Sequence, residues 1–278
     1  MTDSANLKSA GFDPAGKTVV VTGAGNGIGA GLAAAMAARG ARVVVADLDA
    51  EGAHRTVATI VAAGGTALAV PGDAASQEGV DALIAAAREG YGPIDAWFAN
   101  AGVDRGRGLE ATDAEWDLSW NVNVLAHVHA ARRLVPEWIE RGGGRFVVTA
   151  SAAGLLTMLD APAYSVTKHG AVAFAEWLSA TYRHRGVVVQ AVCPQGVQTR
   201  MLQQSGPLEE LLSRDSALTV EDVAVSVEQA LDGDDFLILP HAEVADYYRA
   251  RAGQTDRWLA GMNKLQRRLE TATEDSAG

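Results

Sequence analysis

TVVVTGAGNGIGAG, Thr18 to Gly31, decides how the rest of the chain is read. Three valines between threonines make a short β-branched run of the kind that forms a buried strand. Glycines crowd in at Gly23, Gly25, Gly27 and Gly29, and an alanine-rich stretch follows that stops at Gly40. The order reads as strand, tight turn, helix, with glycine as the stop. Glycines at a strand exit let the backbone turn sharply and come close to a pyrophosphate. The helix that follows offers free N–H groups and a partial positive charge. A plain strand–helix turn is the alternative, and Asp47 argues against it. That residue ends the next apolar strand, ARVVVAD, where a carboxylate accepts hydrogen bonds from the adenosine ribose and repels a 2′-phosphate. Asn26, inside the loop, supplies no cation for such a phosphate. Together they predict NAD rather than NADP.

The same alternation runs outward from this stretch. AEGAHRTVATIVAAGG reads as a helix, TALAVPGD as a strand, and SQEGVDALIAAAREGYG as a helix with Ser76 as its N-cap. IDAWFANAG, a helix over about 113–140, GRFVVTAS, a helix over about 163–184, VVVQAVCP, a helix opened by TVED, and DFLILP complete the series. About seven strands, nearly all continuous apolar runs, predict a parallel sheet covered by helices on both faces. The connections leave no room for a second domain, so residues 17–240 are expected to form one. Residues 1–16 are expected to be flexible and 271–278 disordered. In 241–270, Val244, Tyr247, Tyr248, Trp258, Leu259, Met262, Leu265 and Leu269 recur at helical spacing. That extension is expected to be helical, either packed at a subunit interface or closing the substrate pocket as a lid.

The 278 residues carry a net charge of −11 and are 48% hydrophobic, enough apolar surface for a full core. An acidic surface disfavours nucleic acid and anionic lipid as partners. No apolar window is long enough for a membrane span, and the N-terminus has no signal-peptide core. The only cysteine is Cys193, so no internal disulfide forms and a reducing cytoplasm fits. No metal site is expected.

YSVTKHG places Tyr164 and Lys168 one turn apart on one helix face. An ammonium beside a phenol, with the positive ring of an oxidised nicotinamide, favours the phenolate. Tyr164 is then a credible proton acceptor for an alcohol while hydride leaves carbon. Ser151 falls just past the strand GRFVVTAS, where a hydroxyl can hold a substrate oxygen. FANAG ends the fourth strand with small residues that permit close approach. Asn123 lies within a helix, where its propensity is poor, so a structural water or backbone cap is expected there unless it has another use. Asp73 after the third strand is placed to reach an adenine, or to act as a helix N-terminal charge.

TGAGNGIG, NAG, Asn123, Ser151, Tyr164 and Lys168 together resemble the single-domain branch of the short-chain dehydrogenase/reductase family over roughly residues 16–240. The resemblance implies a Rossmann-type doubly wound sheet in the order 3-2-1-4-5-6-7 and a tetramer or dimer. It implies that Tyr164 is the general acid/base, that Lys168 lowers its pKa and holds the nicotinamide ribose, and that Ser151 orients the substrate oxygen. Asn123 would anchor a water in a proton relay, and Asn100 would lie against the cofactor ribose. Gly23, Asn26, Gly27, Ile28, Gly29, Asp47, Leu48, Asp73, Ala74, Asn100, Ala101, Gly102, Pro194, Val197 and Thr199 would surround NAD, together with Tyr164 and Lys168. Val197 and Thr199 would sit by the carboxamide. Three positions depart from the family pattern. Gln195 follows Pro194 where glycine is usual, Ala150 precedes Ser151, and Ala99 precedes Asn100.

Leu155, Leu156, Met158, Leu159, Met201 and Leu202 suggest an apolar pocket, with Ser151, Leu155, Gln195 and Met201 as its expected lining. A hydrophobic secondary alcohol, with cyclic ones among the candidates, and its ketone are the expected substrate pair. Two rival readings are a 3-oxoacyl-carrier reductase and a non-catalytic nucleotide sensor or scaffold. The first needs NADPH and a basic docking patch, against Asp47 and the acidic surface. The second tends to lose the Tyr or Lys, and both are present.

Overall fold

The apolar runs pair into a seven-stranded sheet in the order β3-β2-β1-β4-β5-β6-β7, every pairing parallel. The computed structural model describes residues 11–203 and 217–277, with side chains in the last helix described to Thr271. The strands are β1 (Thr18–Thr22), β2 (Arg42–Asp47), β3 (Thr66–Pro71), β4 (Ala96–Ala99), β5 (Gly144–Thr149), β6 (Val187–Val192) and β7 (Leu237–Ile238). Side chains alternate across a strand, so each valine run feeds two layers. Val19 and Val21 join Leu32 and Met36 of α1 (Gly27–Ala38), Ile60 of α2 (Ala50–Ala62) and Val227 of α8 (Val220–Leu231). Val20 joins Ile84 of α3 (Gln77–Tyr91), Leu134 of α5 (Ala126–Glu140) and Leu178 of α6 (Pro162–Tyr182). The doubly wound architecture expected from the alternation is the one observed.

Local chemistry sets the helix starts. The Ser76 hydroxyl accepts from Gly79 N at 3.1 Å and caps α3. Thr112 with Glu115 forms a capping box on α4 (Asp113–Trp120), and Thr219 with Asp222, the start of TVED, forms one on α8.

The structure corrects the sequence in four places. The helix expected over 113–140 is interrupted between α4 and α5 by a π-turn, Asn121–Leu125. β3 is half-exposed because it is the sheet edge. β7 has only two residues, with α9 (Glu243–Gly253) and α10 (Thr255–Ala277) following. α10 runs on to Ala277, into the stretch expected to be a disordered tail.

Residues 1–10 lie outside the described residues, but in 11–16 Phe12 and Pro14 pack against the body. Phe12 N donates to Leu231 O at 2.7 Å, and the Arg145 guanidinium stands 5.4 Å from its ring. Arg145 opens β5 and is buried. It donates to Gln190 Oε1 at 2.6 Å, Gly233 O at 3.2 Å and Asp234 Oδ1 at 3.0 Å. Arg183 reaches the other oxygen of Asp234 at 3.1 Å. This network closes the amino ends of the strands. The carboxyl ends are left for the site.

Candidate active site

Thr22 ends β1 and pins two loops together. Its hydroxyl accepts from Asn100 N at 3.0 Å and Ala101 N at 3.1 Å. The Asn100 amide donates to Thr22 O and Gly23 O at 3.0 and 3.2 Å. A Cβ on Gly29 would overlap Gly23 O and this amide, so only glycine lets α1 start so close to β1. Asp47 braces the loop from β2: one carboxylate oxygen accepts from Gly25 N at 2.7 Å and the other from Asp49 N at 2.8 Å. Each oxygen keeps acceptor capacity for a further donor. Asn26, Gly27, Ile28, Leu48, Ala74 and Gly102 line the same cavity as Asp47. No lysine or arginine lines its Asp47 end among the described residues. An uncharged ribose fits this donor and acceptor set better than a phosphorylated one. Asp73 also lines the cavity, and it accepts from Ala75 N and Ser76 N at 2.8 and 3.2 Å. Burial raises its carboxyl pKa, but the Ser76 and Ala75 hydrogen bonds outweigh this and hold it below the usual range.

The second group sits where β5 meets α6. Ser151 leaves β5 and its hydroxyl accepts from Ala153 N at 3.1 Å. Tyr164 is buried in the first turn of α6 and hydrogen-bonded to Ser151. Lys168, one turn on, is 3% exposed. Its Nζ donates to Thr149 O at 2.9 Å and stands 5.6 Å from the Tyr164 ring centre. In the sequence, Lys168 and the positive ring of an oxidised nicotinamide stand against the phenol proton; in the chain alone, burial opposes them. Burial pushes Tyr164 up to about 12, and the Ser151 hydrogen bond opposes this only in part. Burial likewise pushes Lys168 down to about 8, against an upward pull from Cys193 and Asp104. Below that value Lys168 is a cation and Tyr164 a neutral phenol.

Asn123 lies in the π-turn, fully buried. Its Oδ1 accepts from Val103 N at 2.9 Å, and its Nδ2 donates to Val103 O and Thr167 Oγ1, both at 2.9 Å. Its amide thus stands in for a strand neighbour to the segment after β4, which is the backbone cap that its poor helix propensity calls for. A Cβ on Gly102 would come within 3.2 Å of Lys168 Nζ and 3.3 Å of Asn123 Oδ1, so a side chain there would press on both.

One cavity of about 1340 Å³ runs from the glycine loop past Asp47 and Asp73 to Ser151, Tyr164 and beyond. Asn100, Ala101, Pro194, Gln195, Val197, Thr199 and Met201 line it as expected. Leu155 does not. The 3-10 turn Ala152–Gly154 swings it into the core, 2% exposed, and Leu156 and Met158 take the cavity side. Met201 and Leu202 lie on the short helix α7 (Arg200–Gln203), and the loop expected to continue from them enters residues 204–216, outside the described residues.

Several contributors were not found by sequence reasoning. Asp104 is buried and ion-paired by both oxygens with Arg107, at 2.7 and 3.0 Å. His241 accepts from Gln195 N on Nδ1 at 3.1 Å, which puts its proton on Nε2, facing Gly196 O at 3.1 Å. It thereby clamps the loop at the residue that departs from the family pattern. Tyr247, Trp258, Met262 and Leu265 of α9 and α10 also line the cavity. The sequence singles out these four and offers two placements for them, a subunit interface or the substrate pocket, without deciding between them.

A doubly wound parallel sheet that gathers its polar groups at the strand carboxyl ends is a dinucleotide-binding architecture. Residues 17–210 match the family described as short chain dehydrogenase, and the chain belongs to that family. It is accordingly an oxidoreductase acting on CH–OH groups. It is 35% identical to 1-deoxy-11-beta-hydroxypentalenate dehydrogenase of Streptomyces exfoliatus, over 82% of this chain and 84% of that protein. It is 32% identical to cyclohexanol dehydrogenase of an Acinetobacter species, over 67% of this chain and 75% of that protein. Among solved structures, a short chain dehydrogenase/reductase from Burkholderia phymatum in complex with NAD superposes with a TM-score of 0.81 at 31% identity, covering 88% of this chain and 96% of that one. No described helix is long and apolar enough to cross a membrane.

Proposed function

We propose that the protein is an NAD-dependent dehydrogenase that interconverts a hydrophobic, cyclic secondary alcohol and its ketone, with Tyr164 as general acid/base. The observation that carries this is the gathering of Ser151, the buried Tyr164 and Lys168, whose Nζ stands 5.6 Å from the Tyr164 ring centre, on one largely apolar cavity. Bound NAD supplies the hydride acceptor and a positive ring. Gly23, Asn26, Gly27, Ile28 and Gly29 hold its pyrophosphate against α1. Asp47 takes the adenosine ribose, and Leu48, Asp73 and Ala74 border the adenine. Asn100, Ala101 and Gly102 border the nicotinamide side, with Pro194, Val197 and Thr199 across from them.

Ser151 donates to the substrate oxygen and fixes its position. In reduction, neutral Tyr164 gives its proton to the oxygen that becomes the alcohol. In oxidation it must first lose that proton, which positive charge nearby favours. Lys168 supplies one such charge and returns the proton toward Asn123 and solvent. Leu156, Met158, Gln195 and Met201 exclude water from the reacting carbon. Exposed Trp120, Val166 and Trp177 on α4 and α6 support a homo-oligomer, because a second copy would cover them. The acidic surface and lone buried Cys193 support a reducing, cytoplasmic setting.

The test is NAD+ reduction across a panel of cyclic and acyclic secondary alcohols, with Tyr164→Phe alongside. Turnover by the wild type and not by the variant, with NADH binding kept in both, is the expected result. Turnover by Tyr164→Phe would remove Tyr164 from this role.

A further inference from the structure

α10 carries Trp258, Met262 and Leu265 on one stripe, and all three are half-buried, whereas Leu259 on the neighbouring face is 56% exposed. An amphipathic helix normally lays such a stripe on the core. Here only Trp258 does so, beside Tyr247 with ring centres 6.4 Å apart. Met262 and Leu265 belong to no core cluster among the described residues, yet they line the cavity that contains Ser151 and Tyr164. The wall is anchored: Val244 of α9 is fully buried, and Arg251 donates to Leu155 O.

We infer that the stripe Trp258–Met262–Leu265 is the specificity wall of the site, and that it selects a rigid, multi-ring alicyclic alcohol over a single-ring one. The inference rests on the dehydrogenase reading above. From Trp258 to Leu265 the stripe extends about 10 Å at a helical rise of roughly 1.5 Å per residue. One six-membered ring cannot cover that length, and a fused-ring body can. A flexible chain of equal length would cover it only by losing more conformational freedom. The cavity of about 1340 Å³ exceeds the roughly 300–1,000 Å³ of a pocket for one small ligand, so it has room for a dinucleotide and a sizeable second molecule. The stripe carries no charge, so the end of the substrate remote from its hydroxyl is uncharged.

The test compares wild type with Trp258→Ala and Leu265→Ala, the second being the gentler change should the first misfold. The alcohols are a tetracyclic steroid 3-alcohol, cyclohexanol and 2-decanol. The readout is the ratio of kcat/KM for the steroid to that for cyclohexanol. It is expected to favour the steroid in the wild type and to fall at least tenfold in each variant. An unchanged ratio overturns the inference, as does a wild type that prefers 2-decanol to the steroid. A second readout needs no turnover: calorimetric binding of a steroid 3-ketone to the NADH complex should weaken at least tenfold in both variants. If the wild type oxidises no alcohol but this binding weakens as expected, the reaction proposed above fails and the wall stands. If the wild type oxidises cyclohexanol but does not bind the steroid ketone, the wall falls and the reaction stands.

Discussion

Asn123→Ala separates a structural pin from a proton-relay residue. The substitution removes three hydrogen bonds of 2.9 Å, two to the backbone of Val103 and one to Thr167. Thr167 loses little, because its own hydroxyl proton still goes to Ala163 O at 2.7 Å. Val103 loses partners for both its N–H and its C=O. Each buried backbone group left unpaired costs about 1–3 kcal/mol, and a water admitted into the vacated space recovers part of that. The Val103 groups are only part-buried, so the net cost is roughly 3 kcal/mol. For a chain of this size, each kcal/mol lowers Tm by about 2–4 °C, so the variant should melt roughly 10 °C lower. Differential scanning calorimetry gives that number, and NADH titration with initial rates gives the function of whatever remains folded. A variant that melts with the wild type but has lost turnover would refute the packing account and leave the relay as the residue's whole purpose. A lower Tm with turnover retained at low temperature would refute the relay.

Burial holds Tyr164 up at about 12, so its proton stays on at neutral pH. Oxidation should therefore quicken as pH rises from about 6 towards 8 and level off above that, where Lys168 sheds the charge that favours the phenolate, while reduction stays level and declines only at the alkaline end; a flat oxidation profile below pH 8 would contradict this assignment. Asp47→Asn keeps the shape of the side chain but only one acceptor oxygen, so one of its two backbone bonds is lost along with the charge. The preference for NAD+ over NADP+ in kcat/KM should narrow by about tenfold or more, since removing a like charge near a phosphate is a matter of one to a few kcal/mol. An unaltered preference would show that Asp47 does not select the cofactor. His241→Ala deletes both contacts to the Gln195–Gly196 loop, and KM for dinucleotide and alcohol should rise by several-fold, about 1–2 kcal/mol. Unchanged KM values with a lower Tm would make the clamp a matter of stability alone.

The first half of the chain was the more legible. β1, the glycine turn, α1 and Asp47 are neighbours along the sequence, and apolar runs with glycine punctuation report local structure directly. Tyr164 and Lys168 were legible because one helix turn fixes their relation. Contacts between distant segments were not. Thr22 meets Asn100, Asn123 meets Val103, and His241 meets Gln195; nothing in the spacing of those residues pairs them. Leu155 shows how fine the margin is. A single 3-10 turn decides whether it or Leu156 faces the cavity, and both are leucine. The depth of burial of Tyr164 was hidden for a related reason: the charge beside it is written in the sequence, but its distance from solvent is not.

The sheet's two ends bear on how the protein can be handled. Phe12 meets Leu231 and Arg145 at the amino ends of the strands, while α10 borders the cavity at the carboxyl ends. A tether joined ahead of Gly11 therefore departs from the side of the molecule away from the chemistry. A surface coating or fusion partner attached there leaves the mouth open to solvent, whereas a bulky group placed on the Trp258–Leu265 stretch of α10 stands at the door.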